Sequence, residues 1–247
     1  MSTQSMKPLQ DRVAVVTGGV KGIGAAIVER LSADGAKVAI IDRDAPNGGS
    51  QVASAQADVG GYGAVSDAMD RFARELGPID IVVNNAGWDR VQPFIDNEPS
   101  LWDTLVRINL IGVFNMTHVA LPMMKERGGR IINIASDAGR VGSSGEAVYS
   151  ACKGGTIAFT KAIAREAARY NVLVNCVCPG PTATPLLEGM RTEPSVDRLM
   201  EAIVKSTPLR KLARPEDVAA AVAYFAGEPG HVTGQILSVS GGLTMAG

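Results

Sequence analysis

The chain has 247 residues, 46% of them hydrophobic and 28 of them glycine, a composition typical of a globular domain with many tight turns. Its formal net charge is -1 at pH 7 and it has no run of five or more like charges. This excludes the basic stripe that is typical of nucleic-acid and membrane-surface proteins. The N-terminus lacks the apolar core of a signal peptide, and no later stretch is long and uncharged enough to span a bilayer. We therefore expect a cytoplasmic protein that binds small molecules, with no nucleic-acid or membrane partner.

Short β-branched runs alternate along the chain with longer segments of helical periodicity. Strands are predicted at 13–17, 38–42, 79–84, 131–135, 172–177 and 235–239, and helices at 23–33, 64–76, 102–126, 147–170 and 215–226. Nearly continuous apolar strands that alternate with helices indicate a parallel sheet covered on both faces. We expect a flexible tail at 1–10 and a single doubly wound α/β domain at 11–247. Clustered Pro, Thr and Gly predict an irregular substrate loop at about 181–207.

The first predicted strand leads directly into a glycine-rich turn and then into a helix. Gly18, Gly22 and Gly24 in this turn follow a Gly-x-x-x-Gly-x-Gly spacing, with Lys21 and Ile23 between them. Glycines permit such a turn and bring the backbone and the helix N-terminus close to a pyrophosphate. The arrangement of strand, turn and helix therefore predicts dinucleotide binding.

The second predicted strand ends at Asp42, which follows Gly24 at close to the spacing expected of an acid that binds the adenosine ribose hydroxyls. A carboxylate at this place repels a 2′-phosphate. Lys21 is a signal in the other direction, because its ammonium is able to pair with such a phosphate. We expect NAD rather than NADP, with NADP kept as the alternative.

Tyr149 and Lys153 are four residues apart, which places a phenol and an ammonium on one helical face. A free tyrosine has a pKa of about 10, so a base that works near neutrality needs a shift worth about 4 kcal/mol. A cation about 4 Å away supplies about that much at an effective dielectric constant of about 20. The alternative is a packed tyrosine followed by a solvated lysine.

Cysteine and histidine are too sparse to predict a metal centre or a Ser-His-Asp triad. Cys176 and Cys178 lie in an apparent strand, Cys152 lies in a helix, and His118 and His231 are far apart in sequence. Neither a disulfide framework nor a metal-ligand spacing results. We expect core thiols and no metal.

Several motifs occur together in a fixed order: the glycine turn, Asn84-Asn-Ala-Gly87, Asn109, Ser136, Tyr149-x-x-x-Lys153 and Pro179-Gly180. With this set the chain resembles the classical short-chain dehydrogenase/reductase family over nearly its whole length. The resemblance implies a Rossmann-type, seven-stranded parallel sheet, a nicotinamide cofactor and a homotetramer.

The resemblance also implies roles for individual residues. Tyr149 is the acid/base on the substrate oxygen, and Lys153 holds the nicotinamide ribose and lowers the pKa of the tyrosine. Ser136 orients the substrate oxygen, and Asn109 keeps a water in a proton relay to Lys153. The remaining cofactor residues implied are Asp58 and Val59 at the adenine, Asn85, Ala86 and Gly87 along the cofactor, and Pro179, Gly180 and Thr182 over the nicotinamide.

The segment 42–58 is shorter than this family usually allows, so the helix after the second strand is expected to be truncated or missing. This shortening affects the expected adenine-side wall, and it leaves the catalytic motifs unchanged.

Three stretches, 84–89, 135–149 and 237–245, resemble members of the family that oxidise cyclic 2-hydroxyacyl-CoA esters. Trp88 is then a candidate wall for a ring, with plain packing as the alternative. Arg140 is a candidate partner of the thioester's phosphates, with an ion pair to Glu146 as the alternative.

A second interpretation of the sequence is a 3-oxoacyl-CoA or 3-oxoacyl-[acyl-carrier-protein] reductase using NADPH, which Lys21 favours and Asp42 opposes. A remote alternative is a non-catalytic dinucleotide-binding regulatory protein.

Overall fold

A computed structural model describes residues 7–45, 52–227 and 230–246. The strands are β1 Val13–Thr17, β2 Lys37–Asp42, β3 Ala53–Gln56, β4 Ile81–Asn84, β5 Gly129–Ile134, β6 Val172–Pro179 and β7 Ile236–Val239. The α-helices are α1 Gly22–Ala33, α2 Tyr62–Leu76, α3 Pro99–Val106, α4 Gly112–Met124, α5 Ala138–Val141, α6 Ala147–Ala167, α7 Pro185–Met190, α8 Pro194–Ser206 and α9 Pro215–Ala226. A π-helical turn, Arg107–Ile111, joins α3 to α4.

The seven strands form one parallel sheet in the order β3-β2-β1-β4-β5-β6-β7. The chain leaves β1 towards one edge and returns to pair β4 with the other side of β1. In a doubly wound sheet this reversal opens a crevice at the carboxyl ends of the strands. The expected Rossmann-type fold is confirmed.

Alternate residues of the central strands fill two apolar cores, one on each face of the sheet. Ala14 and Val16 pack into the core beneath α1 and α9, and Val13 and Val15 pack into the core beneath α2, α4 and α6. Phe72 of α2 is fully buried in the second core. Burial of one such side chain stabilises the fold by about 1.5–3 kcal/mol.

Strand β3 is absent from the sequence-based prediction, because its Ala-Ser-Ala-Gln sequence has low β-propensity. Its pairing with β2, from Ala39 opposite Ala53 to Asp42 opposite Gln56, stabilises it at the edge of the sheet. The described residues between β2 and β3, 43–45 and 52, contain no helix. Residues 46–51 lie outside the described part, so the missing helix stays a prediction there.

Two of the predicted boundaries are wrong. The predicted flexible tail does not extend to residue 10, because Leu9 is only 2% exposed and its N–H donates to the carbonyl of Asp34 at 2.9 Å. The loop at about 181–207 contains α7 and α8, whose first residues are the prolines that suggested irregular structure. Proline at the first helical position loses no helical hydrogen bond, so it begins these helices rather than preventing them.

The segment Pro99–Met124 runs through α3, the π turn and α4. By length and composition alone it is long and apolar enough to cross a membrane, which corrects the expectation that no stretch is. Half of its most apolar 18-residue stretch is buried inside the protein, as in a core helix of a globular domain.

Candidate active site

Most of the predicted site residues lie at one edge of the sheet, where the parallel strands end. Thr17, Asp42 and Asn84 are the last residues of β1, β2 and β4, and Pro179 is the last residue of β6. Ser136 follows β5 by two residues. The topology therefore brings together residues that are far apart in the sequence.

The glycine turn between β1 and α1 is packed too closely for a side chain at Gly18 or at Gly24. A Cβ on Gly24 would lie 1.9 Å from the carbonyl oxygen of Gly18, and one on Gly18, whose φ is +64°, would lie 2.9 Å from Cα of Ala86. Asn85 holds the turn by donating from Nδ2 to the carbonyls of Thr17 and Gly18, each at 3.0 Å. The turn and the loop after β4 are thus one rigid unit.

The N-terminus of α1 fits the phosphates of a dinucleotide. Its N-cap residue, Lys21, makes no side-chain capping hydrogen bond, so the first amides of the helix remain available to an anion. Gly22, with φ of +58°, and Ile23 complete the turn. Thr184 lies above it, 3.5 Å from the place of a Cβ on Gly22. These residues would hold the pyrophosphate.

The carboxylate of Asp42 is oriented by two backbone amides. Oδ2 accepts from Val20 N and Oδ1 accepts from Asp44 N, each at 3.0 Å. Lys21 is the residue that favours NADP in the sequence. Its ammonium pairs with Asp44 at 2.7 Å instead of projecting freely, and this ion pair raises the pKa of Lys21. The pair is exposed, so it constrains the lysine only weakly.

The residues predicted to border the adenine and the nicotinamide are fixed by contacts within the chain. Asp58 pairs with Arg107 at 2.9 Å, and Val59 is buried. Thr182 Oγ1 donates to the carbonyl of Gly180 at 2.9 Å, and the N–H of Gly180 donates to Val239 at 3.1 Å. Their contact with a cofactor stays a prediction.

Lys153 lies one turn after Tyr149 on α6 and is only 3% exposed. Its Nζ donates to the carbonyl of Ile134 at 3.0 Å and lies 5.5 Å from the centroid of the tyrosine ring. Burial lowers the pKa of Lys153 to about 8. A Cβ on Gly87 would lie 3.4 Å from Nζ, so glycine here leaves open the approach to the ammonium. Lys153 is therefore buried, and the alternative of a solvated lysine is wrong.

The pKa of Tyr149 is raised, not lowered. Burial is the main cause, and the negative charges of Asp89 and Glu146 add to it, while a hydrogen bond with Ser136 opposes them. The structure thus contradicts the expectation that Lys153 brings the tyrosine pKa towards neutrality. The physical reason is that desolvation and the charges of Asp89 and Glu146 raise the pKa, and the hydrogen bond with Ser136 offsets only part of that rise.

Asn109 lies in the π turn and is fully buried. Its Nδ2 donates to the carbonyl of Trp88 at 2.7 Å, and its Oδ1 accepts from the N–H of Trp88 at 3.3 Å. The side chain therefore fastens the loop after β4 to the long helix. Single π turns inside α-helices frequently occur at functional sites. The water relay remains a prediction.

Trp88 lines an open groove of about 530 Å³. The other residues that line this groove are Arg90, Gln92, Asp96, Glu98, Ser100, Leu101 and Thr104. Arg140 lies elsewhere: Nη1 donates to Ser238 at 2.6 Å and Nη2 donates to the carbonyl of Ala246. Glu146 is not among its described partners. The guanidinium thus anchors the C-terminal segment.

Sequence reasoning missed two features of the site. The hydroxyl of Thr17 accepts from the amides of Asn85 and Ala86 at 3.0 and 2.9 Å and so orders the loop after β4. Asp89 lies beside Tyr149, buried, with neither carboxylate oxygen hydrogen-bonded. The position of Thr17, a polar residue at the end of a fully apolar strand, could have indicated its role from the sequence. No feature of the sequence around Asp89 indicates its role.

The cysteines and other metal-ligand types form no further site. Cys152, Cys176 and Cys178 are free and buried, which confirms core thiols. Within the described ranges, no group of three or more His, Cys, Asp or Glu side chains is placed to hold a metal ion.

A doubly wound sheet, a glycine turn after β1 and the Ser136-Tyr149-Lys153 set define a dinucleotide-dependent oxidoreductase. Residues 18–244 match the family described as Enoyl-(Acyl carrier protein) reductase. The chain is 41% identical to acetoacetyl-CoA reductase of Rhizobium meliloti (strain 1021), covering 94% of this chain and 98% of that protein. It is 36% identical to the 3-oxoacyl-[acyl-carrier-protein] reductase FabG of Chlamydia muridarum, covering 95% and 98%.

Among solved structures, the ligand-free aldohexose dehydrogenase of Thermoplasma acidophilum superposes with a TM-score of 0.91 at 29% identity, covering 98% of each chain. The chain belongs to the classical short-chain dehydrogenase/reductase family. It is therefore an enzyme that acts on CH–OH or ketone groups, and the non-catalytic alternative is set aside.

Proposed function

We propose that the protein interconverts 3-oxoacyl and 3-hydroxyacyl thioesters with NAD(H), in the direction of reduction when the ketone is supplied. The observation that carries this proposal is the joint presence of the Ser136-Tyr149-Lys153 set and near full-length similarity to reductases named for such thioesters. These relatives favour the 3-oxoacyl reductase alternative over the cyclic-substrate reading.

The protonation of Tyr149 supports this reaction. Its raised pKa keeps the phenol protonated at neutral pH, ready to act as an acid. The cofactor, when bound, supplies hydride to the carbonyl carbon in reduction and accepts it in oxidation. Tyr149 gives its proton to the carbonyl oxygen as that oxygen becomes an alkoxide, and Ser136 holds the same oxygen by its hydroxyl. Lys153, whose pKa is about 8, holds its ammonium 5.5 Å from the centroid of the tyrosine ring.

The geometry at the end of β2 supports NAD over NADP. Two backbone amides hold the Asp42 carboxylate in place, whereas the Lys21 ammonium, which is able to pair with a 2′-phosphate, makes only an exposed ion pair with Asp44. An anionic group brought beside Asp42 would be repelled.

We expect kcat/KM to be at least about tenfold higher with NADH than with NADPH, a ratio that corresponds to about 1.4 kcal/mol. Asp42→Ser should reduce or reverse this ratio, because it removes the charge that repels the 2′-phosphate of NADPH. Initial rates with both cofactors measure this. Asp34→Ser, a change in an acid at the C-terminal end of α1, is the matched control. A wild-type preference for NADPH would overturn the cofactor assignment.

A cyclic substrate is the second candidate, because Trp88 presents an indole to the open groove beside Asn109. An enzyme such as 2-hydroxycyclohexanecarboxyl-CoA dehydrogenase also acts on a carbinol at the β-carbon of a thioester, so the same acid/base set serves it. The two candidates differ only in the shape of the acyl group.

A substrate panel separates these candidates. Acetoacetyl-CoA, longer linear 3-oxoacyl-CoA esters, a cyclic 2-oxocyclohexanecarboxyl-CoA and a simple cyclic ketone are compared at equal NADH. We expect the linear thioesters to give the highest kcat/KM. A clear preference for the cyclic thioester would restore the cyclic reading, and activity on the simple ketone alone would contradict a thioester substrate.

We further propose that the enzyme is a cytoplasmic homotetramer, as the family resemblance implies.

A further inference from the structure

Two carboxyl groups face each other beside Tyr149. Asp89 belongs to the loop after β4 and is 6% exposed, and Glu146 is the N-cap residue of α6, three positions before the tyrosine. The Glu146 carboxyl lies close enough to the Asp89 carboxyl to act on it at short range. Neither residue belongs to the set of groups that the family resemblance assigned to the reaction.

The backbone keeps the two loops in this arrangement. The N–H of Gln92 donates to the carbonyl of Gly145 at 2.8 Å. Gly145 has φ of +81°, and a Cβ there would lie 2.9 Å from Cγ1 of Val91, so only glycine allows this close approach. This contact therefore keeps the backbone segments that carry the two carboxyl groups close together.

The contact between the carboxyl groups requires a proton. Neither oxygen of Asp89 accepts a hydrogen bond of normal geometry, although both are fully buried. Two ionised carboxylates are both acceptors and repel, whereas one acid and one carboxylate form a hydrogen bond. Glu146 lies at the amino end of a 21-residue helix, where a negative charge is stabilised, so the proton resides on Asp89.

The surrounding groups agree with this placement. Burial, followed by Glu146, raises the pKa of Asp89 to about 8, while the backbone amide of Arg90 and the Lys153 ammonium act in the opposite direction. Asp89 also raises the pKa of Cys152, a smaller cause there than burial. Most relevant to function, Asp89 and Glu146 both raise the pKa of Tyr149.

We propose that Asp89 and Glu146 share one proton and that the charge of this pair sets the pH at which Tyr149 ionises. Asp89 is thus a positioning residue that acts through Tyr149. While the pair keeps its proton it carries one negative charge, and after the proton is lost it carries two. The second charge opposes formation of the tyrosinate, which removes the substrate proton in the oxidation of an alcohol. The inference rests on the proposed acid/base role of Tyr149.

The shared proton is tested without any substrate. Infrared difference spectra recorded between about pH 6 and about pH 10 should show one protonated carboxyl group that ionises near the middle of this range, where ordinary Asp and Glu side chains are already ionised. Asp89→Asn should remove this band, and Asp103→Asn, an equal charge change at an exposed position of α3, should retain it. Absence of the band from the wild-type protein would overturn the proposal.

The effect on Tyr149 is tested by the pH profile of NAD-dependent oxidation. Asp89→Asn and Glu146→Gln should each move the rise in kcat/KM with pH about one unit lower, because each removes a negative charge near the tyrosine. Asp103→Asn should leave the profile in place. Unchanged profiles in both active-site variants would contradict the coupling to Tyr149. If no alcohol is oxidised at all, the proposed function fails while the infrared result still decides whether the proton is shared.

Discussion

Tyr149→Phe is expected to lose at least about 10²- to 10⁴-fold in kcat while it still binds NADH, because the phenolic proton is the one given to the substrate oxygen. The substitution removes a single oxygen from a half-buried ring, so the fold should be retained. Steady-state rates and a separate NADH-binding titration measure the two effects.

Tyr224→Phe is the matched control for this variant, because Tyr224 lies exposed on α9, away from the site. It should keep wild-type rates. Near-normal turnover in Tyr149→Phe would rule out Tyr149 as the acid/base.

Gly24→Ala is expected to weaken NADH binding at least about tenfold, corresponding to about 1.4 kcal/mol. The added Cβ would lie 1.9 Å from the carbonyl oxygen of Gly18 and 2.6 Å from Nδ2 of Asn85, so the turn and the loop after β4 must both shift. Overpacking of this kind also costs about 1–3 kcal/mol in the free energy of unfolding. A binding titration and chemical denaturation measure both quantities.

Gly63→Ala provides the control, since a Cβ on Gly63 in α2 meets no atom within 4 Å. That variant should bind NADH normally and be stabilised by about 0.4–1 kcal/mol through the unfolded state. Unchanged NADH affinity in Gly24→Ala would contradict the placement of the cofactor at this turn.

The sequence predicted the parts of the fold that are encoded locally. The apolar run Val13–Thr17, the glycine turn and the helix after it are adjacent in the chain, and their boundaries agree with the structure to within one residue. Strand β3 was missed because Ala53–Gln56 has no strand-forming character of its own and is stabilised by its pairing with β2. Prolines 185 and 194 were interpreted as loop residues because their helices begin at the proline itself.

In the site, too, the sequence predicts the local features and not those that depend on the folded structure. The four-residue spacing correctly placed Tyr149 and Lys153 on one helical turn. It gave no information on burial or on Asp89, which approaches from a loop distant in sequence, and these reverse the direction of the tyrosine pKa shift. Long-range electrostatics of this kind depend on the folded topology, so a local spacing does not contain them.

The most direct test of the account is the initial rate of NADH oxidation on addition of acetoacetyl-CoA, measured near neutral pH for the wild-type enzyme and for Tyr149→Phe. The proposed function predicts stoichiometric formation of 3-hydroxybutyryl-CoA and NAD by the wild type, and a rate lower by at least about 10²-fold in the variant. No thioester reduction by the wild type, or equal rates in the two proteins, would contradict it.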